Sequence, residues 1–314
     1  MNKKKKILAL YRPRFSDQLE RLHDMFDVIS LKSAEDAEDI IRANQDIVAI
    51  YTAVGRNVSA NIMAALPNLE IIANYGVGYD NIDIEAAKAR QIVVTNTPHV
   101  VTDDTADTAM ALLLNVSRRF VEGDIFVRVG KWLQGPMPNG RALTDKTVGI
   151  LGLGNIGRAV AQRARAFEMN VAYTATAIKD DVPYKYYKDA AELAQHCDYL
   201  VVTCRGGEDT KHLVNADVLQ KLGPEGYLIN VARGSVVNTE DLVWALENDV
   251  IAGAGLDVFE NEPFVDERLL KRDDVVLLPH MGTATEEVRY AQGEIVLANL
   301  ENYFKGEALI SPVV

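Results

Sequence analysis

Apolar residues in this chain gather in short dense runs, each followed by a longer stretch where they recur every three or four positions. Runs of four to six rich in Val, Ile, Leu and Tyr predict buried strands, and the periodic stretches predict helices laid against them. In the first hundred residues, strands are predicted at Lys6 to Leu10, Phe26 to Ser30, Asp46 to Tyr51, Leu69 to Ala73 and Ile92 to Thr95. Helices fall between them, for example Asp17 to Phe26 and Ala34 to Ala43. A second series of six predicted strands covers Thr147 to Leu151, Val171 to Tyr173, Tyr199 to Thr203, Tyr227 to Val231, Ala252 to Asp257 and Val275 to Leu278. Such alternation implies parallel sheets covered by helices. Between the two series lies a long predicted helix, Thr105 to Phe120. It carries Ala109, Leu112, Leu113 and Val116 on one face, which suits either a core or a subunit interface. A last predicted helix, Glu286 to Tyr303, follows the final strand and is expected to return to the first domain.

The second series opens with a glycine pattern. The run Thr147 to Leu151 is followed at once by Gly152, Gly154 and Gly157, with Asn155 and Ile156 between them, and then by the helical stretch Arg158 to Phe167. Strand, tight turn and helix are the context that makes G-x-G-x-x-G a dinucleotide signal rather than a glycine-rich turn. The first glycine permits the turn, the second admits the pyrophosphate, and the third lets helix and strand pack closely. The helix N-terminus adds unpaired N–H groups and a positive dipole.

Sites for NAD often carry an acid at the end of the second strand, for the ribose 2′-hydroxyl. Here Val171 to Tyr173 leads into Thr174, Ala175 and Thr176, and no acid appears before Asp180. Ala175 then reads as a permissive gap, and NADP(H) is preferred, with NAD(H) possible. No arginine stands at that strand end. Thr174, Thr176 and Lys179 are the candidate contacts, with Arg205, preceded by Cys204, after the strand Tyr199 to Thr203.

Composition narrows the class. A chain of 314 residues suggests two domains, and a net charge of −12 argues against nucleic-acid or anionic-membrane partners. The basic run Lys3 to Lys6 leads into Ile7 to Leu10, too short an apolar stretch for a secretion signal. No apolar run approaches the ~20 residues of a membrane span. The two cysteines, Cys197 and Cys204, lack metal-ligand spacing and suggest no disulfide framework, so no metal is expected and the cytoplasm is the default.

Four further segments carry chemistry: Asn74 to Asp83 (NYGVGYDNID), Asn230 to Gly234 (NVARG), Gly255 to Pro263 (GLDVFENEP) and Leu277 to Gly282 (LLPHMG). With the glycine motif, in this order, they resemble the D-isomer-specific 2-hydroxyacid dehydrogenase family over nearly the whole chain. Within it, the chain is most similar to the branch of glyoxylate/hydroxypyruvate and 2-ketogluconate reductases. The expected fold is α/β: a Rossmann-type dinucleotide-binding domain (99–284) and a flavodoxin-like substrate domain (1–98 and 285–314). Both are doubly wound parallel sheets, with the active site in a cleft between them. Pro98 is the expected hinge, followed by His99, which could line the cleft. The resemblance also implies a homodimer.

The residues suit the implied roles. Arg233 follows an apolar strand, and a guanidinium there can grip a carboxylate and polarise the neighbouring carbonyl. His280 also follows a strand, and imidazole titrates close to neutral pH, as a general acid for ketone reduction should. Three acids compete to partner it, Asp257, Glu260 and Glu262. The family pattern selects Glu262, before Pro263, and leaves Glu260 solvated. Asp257 matches a position that contacts the nicotinamide carboxamide, or else it caps a turn. The Gly76 to Gly78 turn can form an anion nest, and the resemblance gives the amides of Val77 and Gly78 to the substrate carboxylate. The implied activity is reduction of a small 2-oxoacid (glyoxylate, hydroxypyruvate or 2-ketogluconate) to the D-2-hydroxy acid. The competing class is a cofactor-sensing, co-repressor-like protein on the same fold. Trp132, Met137 and Tyr75 could shape the pocket or simply pack.

Overall fold

The computed structural model describes residues 4–31 and 37–314. Lys3 and the first three residues of the helix predicted from Ala34 lie outside the described residues. The chain divides into two units. One runs to Val101 and takes in Ala284–Val314; the other is Thr102–Thr283.

In the smaller unit the strands are β1 (Lys6–Ala9), β2 (Asp27–Ser30), β3 (Ile47–Ala53), β4 (Ile71–Tyr75) and β5 (Val93–Thr95). All are parallel, in the order β2-β1-β3-β4-β5, which is the flavodoxin-like winding. Successive side chains of a strand face opposite ways, and both faces are buried here. Ile7, Tyr51 and Ile71 pack with Leu22 and with Val296, Leu297 and Leu300 of the last helix, Glu286–Lys305. Their neighbours Leu8, Ile50 and Ile72 pack on the other side with Met63 and Ile92. Burial on both faces explains why these strands read as continuous apolar runs. Side chains start the helices: Asp83 accepts from Ala86 N–H at 2.9 Å, and Thr285 from Val288 N–H at 3.3 Å.

The larger unit has seven parallel strands: β6 (Thr147–Leu151), β7 (Asn170–Thr174), β8 (Lys185–Tyr186), β9 (Tyr199–Val202), β10 (Tyr227–Asn230), β11 (Gly253–Leu256) and β12 (Val275–Leu277). Their order is β12-β11-β10-β9-β6-β7-β8. Counted within the unit this is the Rossmann 3-2-1-4-5-6 order extended by one strand. The sequence predicts six strands; β8 is the addition, and its two residues at the sheet edge are too few to show a pattern.

The long helix is Thr102–Arg118, not one piece through Phe120. Arg119 turns to φ +57° and a second helix, Phe120–Arg128, starts after it. A left-handed arginine carries none of the glycine or proline signal by which helix ends are read. The Ala109, Leu112, Leu113 and Val116 face lies in the core with Val148, Ile150, Val201 and Ile229. Among the described residues, no helix is long and apolar enough to cross a membrane.

Candidate active site

In the larger unit the chain runs outward from β6 to β7 on one side, while β9 flanks β6 on the other. The carboxyl ends of these strands therefore meet at a switch in winding direction, where open α/β sheets bind ligands. Gly152, at φ +102°, makes the turn there. Its N–H donates to Thr174 O at 2.9 Å and its carbonyl accepts from Thr203 Oγ1 at 2.7 Å. A side chain at Gly152 would meet the Cys204 backbone at 2.6 Å, and one at Gly157 would overlap the Gly152 carbonyl. At Gly154, by contrast, a Cβ would meet nothing within 4 Å. Two glycines are thus required by packing, and the middle one borders open space in front of the helix Asn155–Ala166. No side chain caps that helix. A recess backed by backbone and edged by a helix N-terminus fits a pyrophosphate.

The expected 2′-end residues lie close to this turn. Thr174 ends β7 and is buried, whereas Thr176 is exposed and Lys179 half-buried, its N–H held by Tyr173 Oη at 2.8 Å. Arg205 reaches into solvent, 3.8 Å from Asp209. Burial pushes the Cys204 thiol up to about 11 and the Cys197 thiol to about 12, so both stay protonated. The ion pair of Arg158, the first residue after the motif, with Asp181 at 2.9 Å was not legible from the motif itself.

The acid–base residues stand beyond β10, β11 and β12. His280 Nδ1 lies 2.7 Å from Glu262 Oε2, and Phe259 N–H donates to Glu262 Oε1 at 2.9 Å. Burial pushes the Glu262 carboxyl up, but the bonds from His280 and Phe259 outweigh it and hold the group below its usual range. Glu262 is therefore ionised at neutral pH. His280 itself sits at φ +50°, with its N–H on Asp257 O at 2.8 Å. Asp257 is buried and accepts from Met281 N–H at 2.7 Å and Gly282 N–H at 2.8 Å. It caps the turn that follows His280, and burial raises its carboxyl against those bonds. Arg233 follows β10, its stem against Gly206 and its Nη1 on Ala232 O at 2.8 Å. Its positive charge also helps to hold Glu262 ionised.

One acid departs from expectation. Glu260 is not solvated: its Oε1 lies 2.6 Å from His212 Nε2, and its Oε2 accepts from Thr239 Oγ1 at 2.7 Å. His212, an unremarked loop histidine in the sequence, is half of this pair. Residue spacing carries no trace of it, because the partners are far apart in the chain.

In the smaller unit, Val77 and Gly78 follow β4. Asn74 Nδ2 donates to Gly76 O at 3.2 Å and Gly78 O at 2.8 Å, and Asn96 Nδ2 donates to Val77 O at 2.9 Å. These bonds fix the loop through its carbonyls. Among the described residues, neither the Val77 nor the Gly78 N–H donates to another group. Tyr75 is buried, its Oη on Arg289 O at 2.8 Å, while Trp132 is exposed. Pro98 precedes His99, which takes a left-handed φ of +71°.

A dinucleotide cradle and a histidine–carboxylate pair, both at the carboxyl ends of one Rossmann sheet, define the class of dinucleotide-dependent dehydrogenases. Residues 110–282 match the NAD-binding domain of the D-isomer specific 2-hydroxyacid dehydrogenases, and the chain belongs to that family. It is 42% identical over 294 residues to glyoxylate/hydroxypyruvate reductase A of Arabidopsis thaliana, covering 93% of this chain and 94% of the relative. It is also 42% identical to the 2-ketogluconate reductase of Gluconobacter oxydans, over 94% of each. A similar solved structure is the NADPH-dependent glyoxylate/hydroxypyruvate reductase of Sinorhizobium meliloti in complex with NADP and malonate. Its TM-score is 0.94 at 42% identity, over 99% of this chain and 97% of that one.

Proposed function

We propose that this protein is an NADPH-preferring reductase that converts a small 2-oxoacid into the D-2-hydroxy acid. NADH remains usable in this reading, and the substrates are those of its relatives: glyoxylate, hydroxypyruvate or 2-ketogluconate. The observation that carries it is the 2.7 Å bond between His280 Nδ1 and an ionised Glu262. That bond fixes the ring and leaves Nε2 as the donor toward the substrate. Reduction of a ketone needs a proton delivered to oxygen as the carbon is reduced, and His280 delivers it. Arg233 binds the carboxylate and polarises the carbonyl. In the smaller unit, the Val77 and Gly78 amides serve as carboxylate donors. Gly152, Gly154, Asn155, Ile156 and Gly157 hold the pyrophosphate; Asp257 faces the carboxamide; Thr174, Ala175, Thr176, Lys179, Cys204 and Arg205 surround the 2′ end. The bound cofactor supplies the hydride and the chain supplies orientation and the proton. The relatives reported above are reductases, which gives the sensor alternative no support.

Two further assignments belong to this proposal. A homodimer is supported by the apolar residues that the larger unit leaves exposed: Phe120, Ile125, Val127, Trp132 and Leu133, the last at 94%. A cytoplasmic location is supported by two cysteines that remain free thiols.

Initial rates test the activity. NADPH and NADH are compared across glyoxylate, hydroxypyruvate, pyruvate and 2-ketogluconate, with wild type and His280→Ala. Turnover with at least one oxoacid, faster with NADPH and lost in the variant, is expected. Turnover that survives His280→Ala within a few-fold overturns the assigned acid.

A further inference from the structure

Glu262 and Arg233 are carried by different loops, and the structure joins these loops through a residue that neither role requires. Glu260 spends its two carboxylate oxygens on two other segments. Oε1 takes His212 Nε2 at 2.6 Å, from the loop beyond β9. Oε2 takes the Thr239 hydroxyl at 2.7 Å and the Thr239 N–H at 3.4 Å, at the start of the helix Thr239–Glu247. Between these anchors the backbone is in direct contact. Gly234, next to Arg233, has no room for a Cβ, which would overlap the Phe259 carbonyl group and Glu260 N. The Arg233 turn thus presses on the Phe259–Glu260 peptide. The N–H of Phe259 in turn holds Glu262 Oε1 at 2.9 Å, and Glu262 Oε2 holds His280 at 2.7 Å. A continuous path of contacts runs from His212 to His280.

We propose that Glu260, clamped by His212 and Thr239, is a positioning residue that sets the Phe259 N–H, and through it the orientation of Glu262 toward His280. This rests on the general-acid reading given above. Two further features favour it. Charged hydrogen bonds are about twice as strong as neutral ones, and Glu260 makes one to each of two separate segments. Burial raises its carboxyl, but His212 and Thr239 outweigh that and hold it below its usual range, so Glu260 is ionised at neutral pH. The other charged groups near Glu260 are committed elsewhere: Glu240 and Asp266 both hold Arg268, at 2.6 and 2.7 Å. Around Glu262 the charged neighbours are His280, Arg233 and Asp257.

The test compares Glu260→Ala, Glu260→Gln and His212→Ala with Glu262→Gln and His280→Ala, using NADPH and glyoxylate. Readouts are kcat, KM, the pH profile, NADPH affinity by fluorescence, and melting temperature. A displaced Glu262 would misplace the proton donor, so Glu260→Ala should lower kcat on the order of tenfold to a hundredfold. KM should stay within about twofold, because substrate binding is not the lost interaction. The alkaline limb of the rate profile should move in the same direction as in Glu262→Gln, the variant that changes the same contact directly. NADPH affinity should hold. Glu260→Gln, which keeps an acceptor and the shape, should recover most of the rate. His212→Ala removes a half-exposed side chain and should show the same pattern more weakly, which covers the case that Glu260→Ala fails to fold.

A lowered melting temperature with unchanged kcat and an unmoved alkaline limb in both Glu260→Ala and His212→Ala would overturn the inference and leave only a structural tie. If those two variants match wild type while His280→Ala is inactive, the positioning role falls and the general-acid reading stands. If His280→Ala keeps its turnover, both fall together.

Discussion

A single carboxylate acts differently according to what surrounds it, and the three acids between Asp257 and Glu262 illustrate this at the scale of the residue. Asp257 faces two backbone N–H groups, Glu260 a histidine and a threonine, and Glu262 a histidine and one N–H. Replacing His280 by Ala should cut turnover by about a hundredfold or more while sparing NADPH binding, measured by steady-state kinetics and fluorescence titration. The pH dependence of stability has a defined sign at Asp266, whose carboxyl Arg268 holds down at about 2. A native value below the unfolded one, about 3.9, gives stability that is present above pH 4 and lost as the pH falls toward 2. The stability gap between wild type and Asp266→Asn should therefore be full at neutral pH and close over that acid range, as followed by urea unfolding at several pH values. The site was partly legible at this scale. Arg233, Glu262 and His280 stand at strand ends within recognisable motifs. Glu260 and His212 escaped, because a side-chain contact between residues 48 apart leaves no local pattern.

Elements are set by burial and by end signals, and they were legible where those signals are strong. Strands β3, β4, β9 and β10, buried nearly throughout, matched their apolar runs to within about two residues at each end, the usual uncertainty of such boundaries. The edge strand β8 and the break at Arg119 were not legible, since one is too short for periodicity and the other lacks a breaker residue. The glycine turn supports a sharper prediction. Gly154→Val projects into open space, so it should leave melting unchanged and weaken NADPH binding at least tenfold by obstructing the phosphates. Gly157→Val collides with the Gly152 carbonyl and should lower the melting temperature itself. Calorimetry alongside cofactor titration separates the two. Removing a helix cap is milder: Asp83→Ala should cost about 1 kcal/mol by denaturant unfolding, with no change in cofactor affinity.

At the scale of the molecule, the proposed association and the charge can be tested together. Placing aspartates at Ile125 and Val127, both about half exposed, should convert a dimer into monomers in sedimentation without unfolding the larger unit, because neither side chain belongs to its core. With a net charge of −12 the protein should also show no measurable retention on immobilised DNA at physiological salt. The parallel sheets followed from the order of apolar runs and the doubly wound dinucleotide sheet from the glycine motif, whereas the flavodoxin-like winding of the smaller unit came only through the family resemblance. The proposed association surface did not, because apolar residues on an exposed helix look the same in sequence as residues of a core.

The smaller unit is interrupted in sequence, and this bears on how the protein is made. Its sheet is synthesised before the larger unit, yet Val296, Leu297 and Leu300, which cover one face of that sheet, belong to the helix Glu286–Lys305, made after it. The final residues also pair with β5, through Val313 N–H to Val94 O and Val94 N–H to Val314 O. At ribosomal speeds the whole of the larger unit is translated in between, a delay of about 10 to 40 seconds. During that time the nascent N-terminal sheet has one apolar face without its cover. The larger unit, continuous in the chain, is free to fold while the ribosome is still working. Emergence of the helix Glu286–Lys305 is then the event that lets the earlier-made smaller unit complete itself, so a chain stopped before Glu286 would carry a finished dinucleotide unit and an open, aggregation-prone sheet.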